Sequence, residues 1–138
     1  MPVAHFAFFQ QLPTVLATFH TSGPREAIVR RLLVDSGFTG KSAFVLSTDD
    51  CERFRQRHAP PSQVTGALVG AHERVWVRCS VATLEFDATL VAISSDLASC
   101  SLPAGIDGLA GLAFLSKFHR WGAERLPSSD WEFVLATV

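Results

Sequence analysis

Short runs of apolar residues, separated by turn-forming residues, fill most of this sequence and predict β-strands. The runs are TVLATFHT at 14–21, AIVRRLLVD at 27–35, SAFVLS at 42–47 and WEFVLATV at 131–138. The segment TSGPRE joins the first two runs and is typical of a hairpin turn. The chain is therefore predicted to be mostly β.

The centre of the chain, at 67–94, reads as an antiparallel meander. Apolar Val75 and Val77 alternate there with Trp76 and Arg78, which is the period of a strand with one buried face. Trp76, Trp121 and Trp131 are predicted to lie in the core or at contacts between chains. The apolar start of the chain is predicted to be a folded strand region, because it lacks the basic segment of a signal peptide.

Two segments depart from the strand pattern and predict short helices. STDDCERFRQR at 47–57 has Ser47 or Thr48 as a cap and acidic residues in its first turn. LAGLAFLSKFHRWG at 109–122 has apolar residues at helical spacing and ends at Gly122. The segments HAPPSQVTG at 58–66 and DLASCSLPAGIDG at 96–108 are predicted to be loops or turns. The fold class is all-β with one or two short helices.

The composition narrows the class of protein. The 138 residues are 48% hydrophobic and carry a formal net charge of −1. These values predict a single packed domain over residues 1–138, and they make nucleic acid an unexpected partner. No apolar run is long enough to span a membrane. Three cysteines without a C-x-x-C pair argue against a disulfide framework or a structural zinc site, and they favour a cytoplasmic location.

One stretch, RRLLVDSGFTGKSAFVLS at 30–47, carries the strongest chemical signal. An apolar strand runs directly into Asp35, and a carboxylate close to a low-dielectric interior is costly unless it is paired or functional. Asp, Ser and Gly are also ordinary turn residues, so this motif alone could be a plain turn. Asp107, in the segment GIDG, is a rival acid that reads better as a loop or turn residue.

LLVDSGFTG at 32–40 resembles the active-site motif of retropepsin-like aspartic proteases, which reads apolar–apolar–Asp–Ser/Thr–Gly–x–Ser/Thr. GLAGLAFL at 108–115 is similar to the downstream apolar–apolar–Gly element of that family and the helix that follows it. The resemblance extends over residues 14–138 and implies an acid-protease barrel with half an active site in each chain. Leu112 stands where viral members carry an arginine that braces the dimer.

The resemblance implies a homodimeric aspartic endopeptidase that needs no cofactor and no metal. Asp35 of each chain would be the catalytic general acid or base, and a water held between the two carboxylates would attack a polypeptide substrate. Ser36, Gly37 and Thr39 would support the active-site loop. Residues that correspond to the flap, and that would contact substrate, are Thr65, Gly66, Ala67, Leu68, Val69 and Gly70.

Two other functions remain open from the sequence. The chain could keep the fold as a catalytically silent module that binds peptides or assembles with partners. It could also be the self-processing domain of a longer precursor. Other chemistries have weaker signals: the histidines lack metal-ligand spacing, each cysteine reads better as a small buried residue, and Lys41 in GFTGKS does not complete a phosphate-binding loop.

Overall fold

The computed structural model describes residues 2–21, 23, 26–64, 70–97 and 101–138. Most of the described chain is strand, with two short helices, which confirms the predicted mostly-β class. The strands are β1 (Val3–Ala7), β2 (Thr14–His20), β3 (Ala27–Val34), β4 (Phe44–Ser47), β5 (Arg55–Val64), β6 (Gly70–Val81), β7 (Phe86–Ser95), β8 (Gly108–Ala110), β9 (Arg120–Arg125) and β10 (Trp131–Ala136). The helices are α1 (Thr48–Phe54) and α2 (Leu112–Leu115).

Six strands close into a barrel. Their order is β2-β3-β8-β4-β7-β6, and β2 pairs with β6 at Thr18–Ser80 and Phe19–Cys79 to complete the circle. The predicted hairpin of β2 and β3 and the predicted meander of β6 and β7 are both confirmed as antiparallel pairs. Closure leaves these strands without free edges, so their inward apolar residues share one core.

The β8 strand makes the topology non-sequential. It lies between β3, with which it is parallel, and β4, with which it is antiparallel. The chain must therefore leave β3, pass over the end of β8, and return as β4. The loop at 35–43 connects the two strands and is called the crossing loop below. Its position on the barrel follows from the insertion of β8 between β3 and β4.

Phenylalanines dominate the core inside the barrel. Phe19 lies 5.1 Å from Phe44 and 5.2 Å from Phe54, measured between ring centroids, and Phe44 lies 5.1 Å from Phe114. All four side chains are fully buried. Edge-on and offset ring pairs of this kind add to the stabilisation from burial, so the core fixes α1 and α2 against the barrel.

The first predicted helix is confirmed and the second is too long. Ser47 caps α1 by accepting a hydrogen bond from the Asp50 amide at 3.0 Å. The α2 helix, by contrast, has only four residues, and Gly122 lies in β9 rather than at a helix end. The reason is tertiary pairing: the His119 amide donates to the Ala136 carbonyl at 2.8 Å, so the chain joins β10 as a strand.

The predicted loop at 58–66 was also wrong, since the backbone continues as β5 to Val64. The strand pairs with β6 alone and contains two prolines, Pro60 and Pro61, at a shift in register between Ala59 and Ser62. Proline lacks an amide donor, but an edge strand with an irregularity tolerates it. The Pro60 carbonyl accepts a hydrogen bond from Arg74 Nε at 2.7 Å, which ties the irregular segment to β6.

The two ends of the chain form a second, three-stranded sheet in the order β1-β10-β9. This confirms that the apolar start of the chain is a folded strand. Trp121 and Trp131 lie on this sheet with 36% and 45% of their surface exposed, so their predicted core role was wrong. A dimer-contact role for these two side chains stays a prediction.

Candidate active site

Asp35 lies at the point where β3 ends and the crossing loop begins. Its amide donates to the Ala110 carbonyl at 2.9 Å, which extends the parallel pairing with β8 by one residue. Its carbonyl accepts from the Phe38 amide at 3.1 Å, which closes a tight turn through Ser36 and Gly37. The backbone of Asp35 is therefore fixed from both sides.

The rest of the crossing loop is bound to the segment directly after β8. The Gly111 amide donates to the Ala43 carbonyl at 2.8 Å, and the Leu112 amide donates to the Phe38 carbonyl at 2.9 Å. Together with the bond from Asp35 to Ala110, these contacts anchor the loop at its start, middle and end. A loop held by three main-chain bonds can keep a side chain in one position.

Glycine is required at two positions for this arrangement. A Cβ atom on Gly111 would lie 2.5 Å from the Phe38 ring and 2.8 Å from the Phe38 carbonyl oxygen, both closer than atoms can pack. A Cβ on Gly108 would collide with the Val45 carbonyl oxygen. The glycines of GIDGLAG therefore permit β8 to lie between β3 and β4, and permit the crossing loop to lie on β8.

The Asp35 carboxylate is partly exposed and has no cationic partner among the described residues. Its Oδ1 accepts a hydrogen bond from the Gly37 amide at 3.1 Å, which orients the carboxyl group over the turn. Several other acids are neutralised: Asp50 by Arg30, Asp87 by Arg78, and Glu124 by Arg120. The backbone thus positions the Asp35 carboxylate, and no cation of the described residues neutralises it.

The predicted supporting residues occupy the same loop with different roles. Gly37 supplies the amide that binds the Asp35 carboxylate. Ser36 and Thr39 are exposed, and their hydroxyl groups have no hydrogen-bond partner within the described part of the chain. Their role in supporting the active-site loop stays a prediction. Phe38 packs with Val45 and Leu109 and covers Gly111.

The flap prediction falls mostly outside the described residues. Thr65, Gly66, Ala67, Leu68 and Val69 are among those that the structure leaves undescribed, and Gly70 is the first residue of β6. The strands on either side pair up to Val64 and Gly70, so the candidate segment connects two hydrogen-bonded strands. Its contact with substrate stays a prediction.

Asp107, the rival acid, has a structural role at the opposite end of β8. Its Oδ2 accepts from the Arg31 amide at 2.8 Å, and its own amide donates to the Arg31 carbonyl at 2.8 Å. Asp107 thus lies beside Arg31, and Asp35 is four residues further along the chain, directly after β3. At the rise of a strand this spacing separates the two backbone positions by about 13 Å, too far for the carboxyl groups to share a proton. The described residues supply no second carboxylate to Asp35 from the same chain.

Cysteine and metal chemistry find no support in the described residues. Burial raises the pKa of both the Cys51 and the Cys79 thiols to about 12, so neither is a thiolate near neutral pH. This confirms that these two are small buried residues, while Cys100 lies outside the described part. No group of three or more histidine, cysteine or acidic side chains is placed to hold a metal among the residues described.

One feature of the molecule was missed from the sequence. Lys41, in the crossing loop, and Lys117, directly after α2, line the same groove together with Trp76. These positions are far apart in the chain, and no spacing rule links them. The alternation with Val75 and Val77 placed Trp76 on the other face of its strand, but nothing in the sequence linked Trp76 to the two lysines; the fold brings them together.

No protein-family model matches this sequence, and a search of curated proteins finds no match. The resemblance to retropepsin-like aspartic proteases therefore stays a prediction from the sequence motifs. Among the described residues, neither helix has the length and apolar character needed to cross a membrane.

Proposed function

We propose that this protein is a homodimeric, retropepsin-like aspartic endopeptidase in which Asp35 of each chain forms the catalytic pair. One observation carries the proposal. The Asp35 carboxylate lies on a loop anchored by three main-chain bonds, oriented by the Gly37 amide, and without a neutralising cation in the described structure. A catalytic acid needs a fixed position and a carboxylate that no cation neutralises, and Asp35 has both in the described structure.

The chemistry requires two such carboxylates to act on one water. One carboxylate removes a proton from the water as general base, and the water oxygen attacks the peptide carbonyl carbon. The other carboxyl group, protonated, donates its proton to the carbonyl oxygen. Two acids at this distance cannot both ionise, so they share one proton and titrate as a pair.

A second copy of the chain is the source proposed for the second acid. Asp107 is committed to the backbone of β3, so a site within one chain would contain Asp35 alone. A two-fold axis near the crossing loop would bring two Asp35 side chains together, as a symmetric dimer requires. The exposed Trp121 and Trp131 of the terminal sheet offer apolar surface for contact between copies.

Digestion of a peptide library tests the proposal directly. Wild type is expected to cut peptides between about pH 4 and pH 7, where a carboxyl pair can hold a single proton. D35N is expected to lose at least about a hundredfold in rate, because an amide cannot act as the base. D49N, which makes the same change at an exposed acid outside the crossing loop, should retain the wild-type rate.

Cleavage products identified by mass spectrometry give the readout. Near-wild-type cleavage by D35N would overturn the assignment of Asp35. Capture of peptides without cleavage at any pH, by folded wild type, would overturn the peptidase and favour the binding or assembly module.

Mixing the two chains tests the shared site. When wild type and D35N exchange freely in equal amounts, about one quarter of the dimers contain two intact acids. Activity should then fall to about one quarter of that of an equal total amount of wild-type chain. A fall to one half would mean that each chain works alone, and would contradict a site built from two copies.

A further inference from the structure

A groove with a cationic lining opens on the outer face of the barrel, beside β6, β7 and α2. Its volume is about 460 Å³, enough for a few side chains. Trp76, Val91 and Leu112 provide apolar surface, and Lys41 and Lys117 provide charge. The outward position of Trp76 follows from the strand period, because its neighbours Val75 and Val77 are buried inside the barrel.

The charge of this groove is unbalanced. Lys41 and Lys117 are the only lysines in the sequence, and both line it. Neither lysine forms an ion pair within the described chain, and no aspartate or glutamate lines the groove. In a chain whose net charge is −1, the convergence of both lysines on one concave surface creates a local positive potential.

Arginines extend this potential along the same face. The Arg57 guanidinium lies 4.8 Å from the centre of the Trp76 ring, stacked as a cation on an aromatic face. Arg74, two residues before Trp76 on β6, donates to the Pro60 carbonyl and to Ser42 Oγ, both of them neutral acceptors. Arg78 is the exception, because Asp87 neutralises it at 2.6 Å.

The groove is continuous with the loop that carries Asp35. Gly40 and Lys41 belong to that loop and line the groove. Leu112, which also lines it, donates its amide to the Phe38 carbonyl. A peptide lying across the Asp35 loop could therefore place nearby side chains in the groove.

We propose that this groove binds the acidic side chains of an extended peptide. We choose this ligand because its charge is complementary to the groove. The ammonium groups of Lys41 and Lys117 and the stacked guanidinium of Arg57 attract carboxylates, and no acidic side chain among the described lining residues repels them. Nucleic acid fits less well, because Trp76 is the only aromatic side chain among the described residues of the lining, and single-strand binders stack successive bases on several aromatic rings. Binding does not need the Asp35 carboxylate; only the preference for acidic substrates rests on the proposed peptidase.

Fluorescence anisotropy with a labelled glutamate-containing octapeptide tests the binding. The K41Q/K117Q variant should bind it about tenfold more weakly than wild type, since two charge contacts are lost. The matched control is R53Q/R125Q, which removes two exposed arginines that have no ion pair in the described structure and lie outside the groove. R53Q/R125Q has the same net charge as K41Q/K117Q, and its affinity for the peptide should stay within about twofold of that of wild type.

A peptide with glutamine in place of every glutamate should lose affinity for wild type and show no difference between the two double variants. Equal binding of the glutamate peptide by K41Q/K117Q and R53Q/R125Q would overturn the groove as the site. Failure of wild type to bind the peptide would overturn it too. Tighter binding of a single-stranded oligonucleotide of equal charge would overturn the assignment of a peptide as the partner.

The D35N chain separates this inference from the proposed function. It should bind the glutamate peptide as wild type does, whether or not wild type cuts it. Binding without cleavage would support the groove and overturn the peptidase. Cleavage by wild type with equal rates for the glutamate and glutamine peptides would support the peptidase and overturn the groove's effect on substrate choice.

Discussion

The end of β3 and the end of β4 each lead into an aspartate, and the two acids have opposite surroundings. Asp35 follows β3 directly and is partly exposed, and its carboxylate accepts one hydrogen bond within the described structure, from the Gly37 amide. Asp50 lies in the first turn of α1 after β4 and is 6% exposed. Arg30 binds it through two nitrogen atoms, at 2.8 and 2.9 Å.

The difference shows how one residue type takes two roles in the same barrel. Burial of a carboxylate is tolerated at Asp50 because a guanidinium pairs with both of its oxygens. The hydrogen bonds that Arg30 donates to Asp50 raise the pKa of Arg30, so the cation stays charged despite partial burial. At Asp35 the backbone supplies position without neutralisation. Asp50 therefore stabilises the structure through its ion pair, whereas the Asp35 carboxylate has no cationic partner among the described residues.

The same substitution at the two acids should give the largest contrast in stability. D50N leaves Arg30 facing an amide with a single acceptor oxygen, and it should lower the free energy of unfolding by about 3 kcal/mol. D35N keeps an acceptor oxygen for the Gly37 amide, and it should change that free energy by less than about 0.5 kcal/mol. Urea unfolding of both variants at pH 7 measures the difference. Comparable losses would mean that Asp35 is also a structural acid.

A methyl group beneath the Asp35 loop should have the next largest effect. G111A places a Cβ against Phe38 and should cost about 2 kcal/mol, because the loop must move to relieve the contact. In the proposed peptidase, the cleavage rate should fall by more than the loss of folded protein explains, because the loop that must move carries Asp35. G122A is the matched control: a Cβ there meets no atom within 4 Å. Unfolding by urea, with cleavage rates measured alongside, compares the two. Equal stability of G111A and G122A would contradict the packing of Phe38 on Gly111.

An exposed ion pair should give the smallest effect and a defined dependence on pH. Hydrogen bonding from Arg78 lowers the pKa of Asp87 below its ordinary value of 3.8. Stability from such a group is present above the unfolded-state pKa and is lost as the pH falls through the lower folded-state value. D87N should therefore be less stable than wild type by a few tenths of a kcal/mol at pH 7, because solvent screens an exposed pair. The difference should vanish near pH 2; a difference that grows on acidification would contradict this account.

Local patterns in the sequence were enough to predict many of the elements. The run LLVD indicated a strand that ends on an acid, and Ser47 followed by Asp49 and Asp50 indicated the start of α1. Both features depend on neighbours in the chain: a strand period, a cap, and charges at a helix terminus. The structure places all of them as predicted.

Patterns failed where pairing with another strand decides the conformation. The periodicity of 109–122 was helical, yet the chain forms β9 after four helical residues and pairs with β10. The prolines of 58–66 are typical of a loop, yet that segment pairs with β6 as an edge strand. In both cases the next strand of the chain supplies hydrogen bonds that are not part of the local propensity of the segment.

The sequence by itself determined that an acid would end a buried strand, that glycines would follow it and recur downstream, and that the domain would be mostly β. Only the tertiary structure decided that β8 lies between β3 and β4, that Gly111 supports the loop of Asp35, and that Lys41 and Lys117 meet beside Trp76. The physical reason is range. Caps and strand periods act over a few residues, whereas strand pairing and packing in the barrel bring together residues more than seventy positions apart, and these long-range contacts assemble both candidate sites.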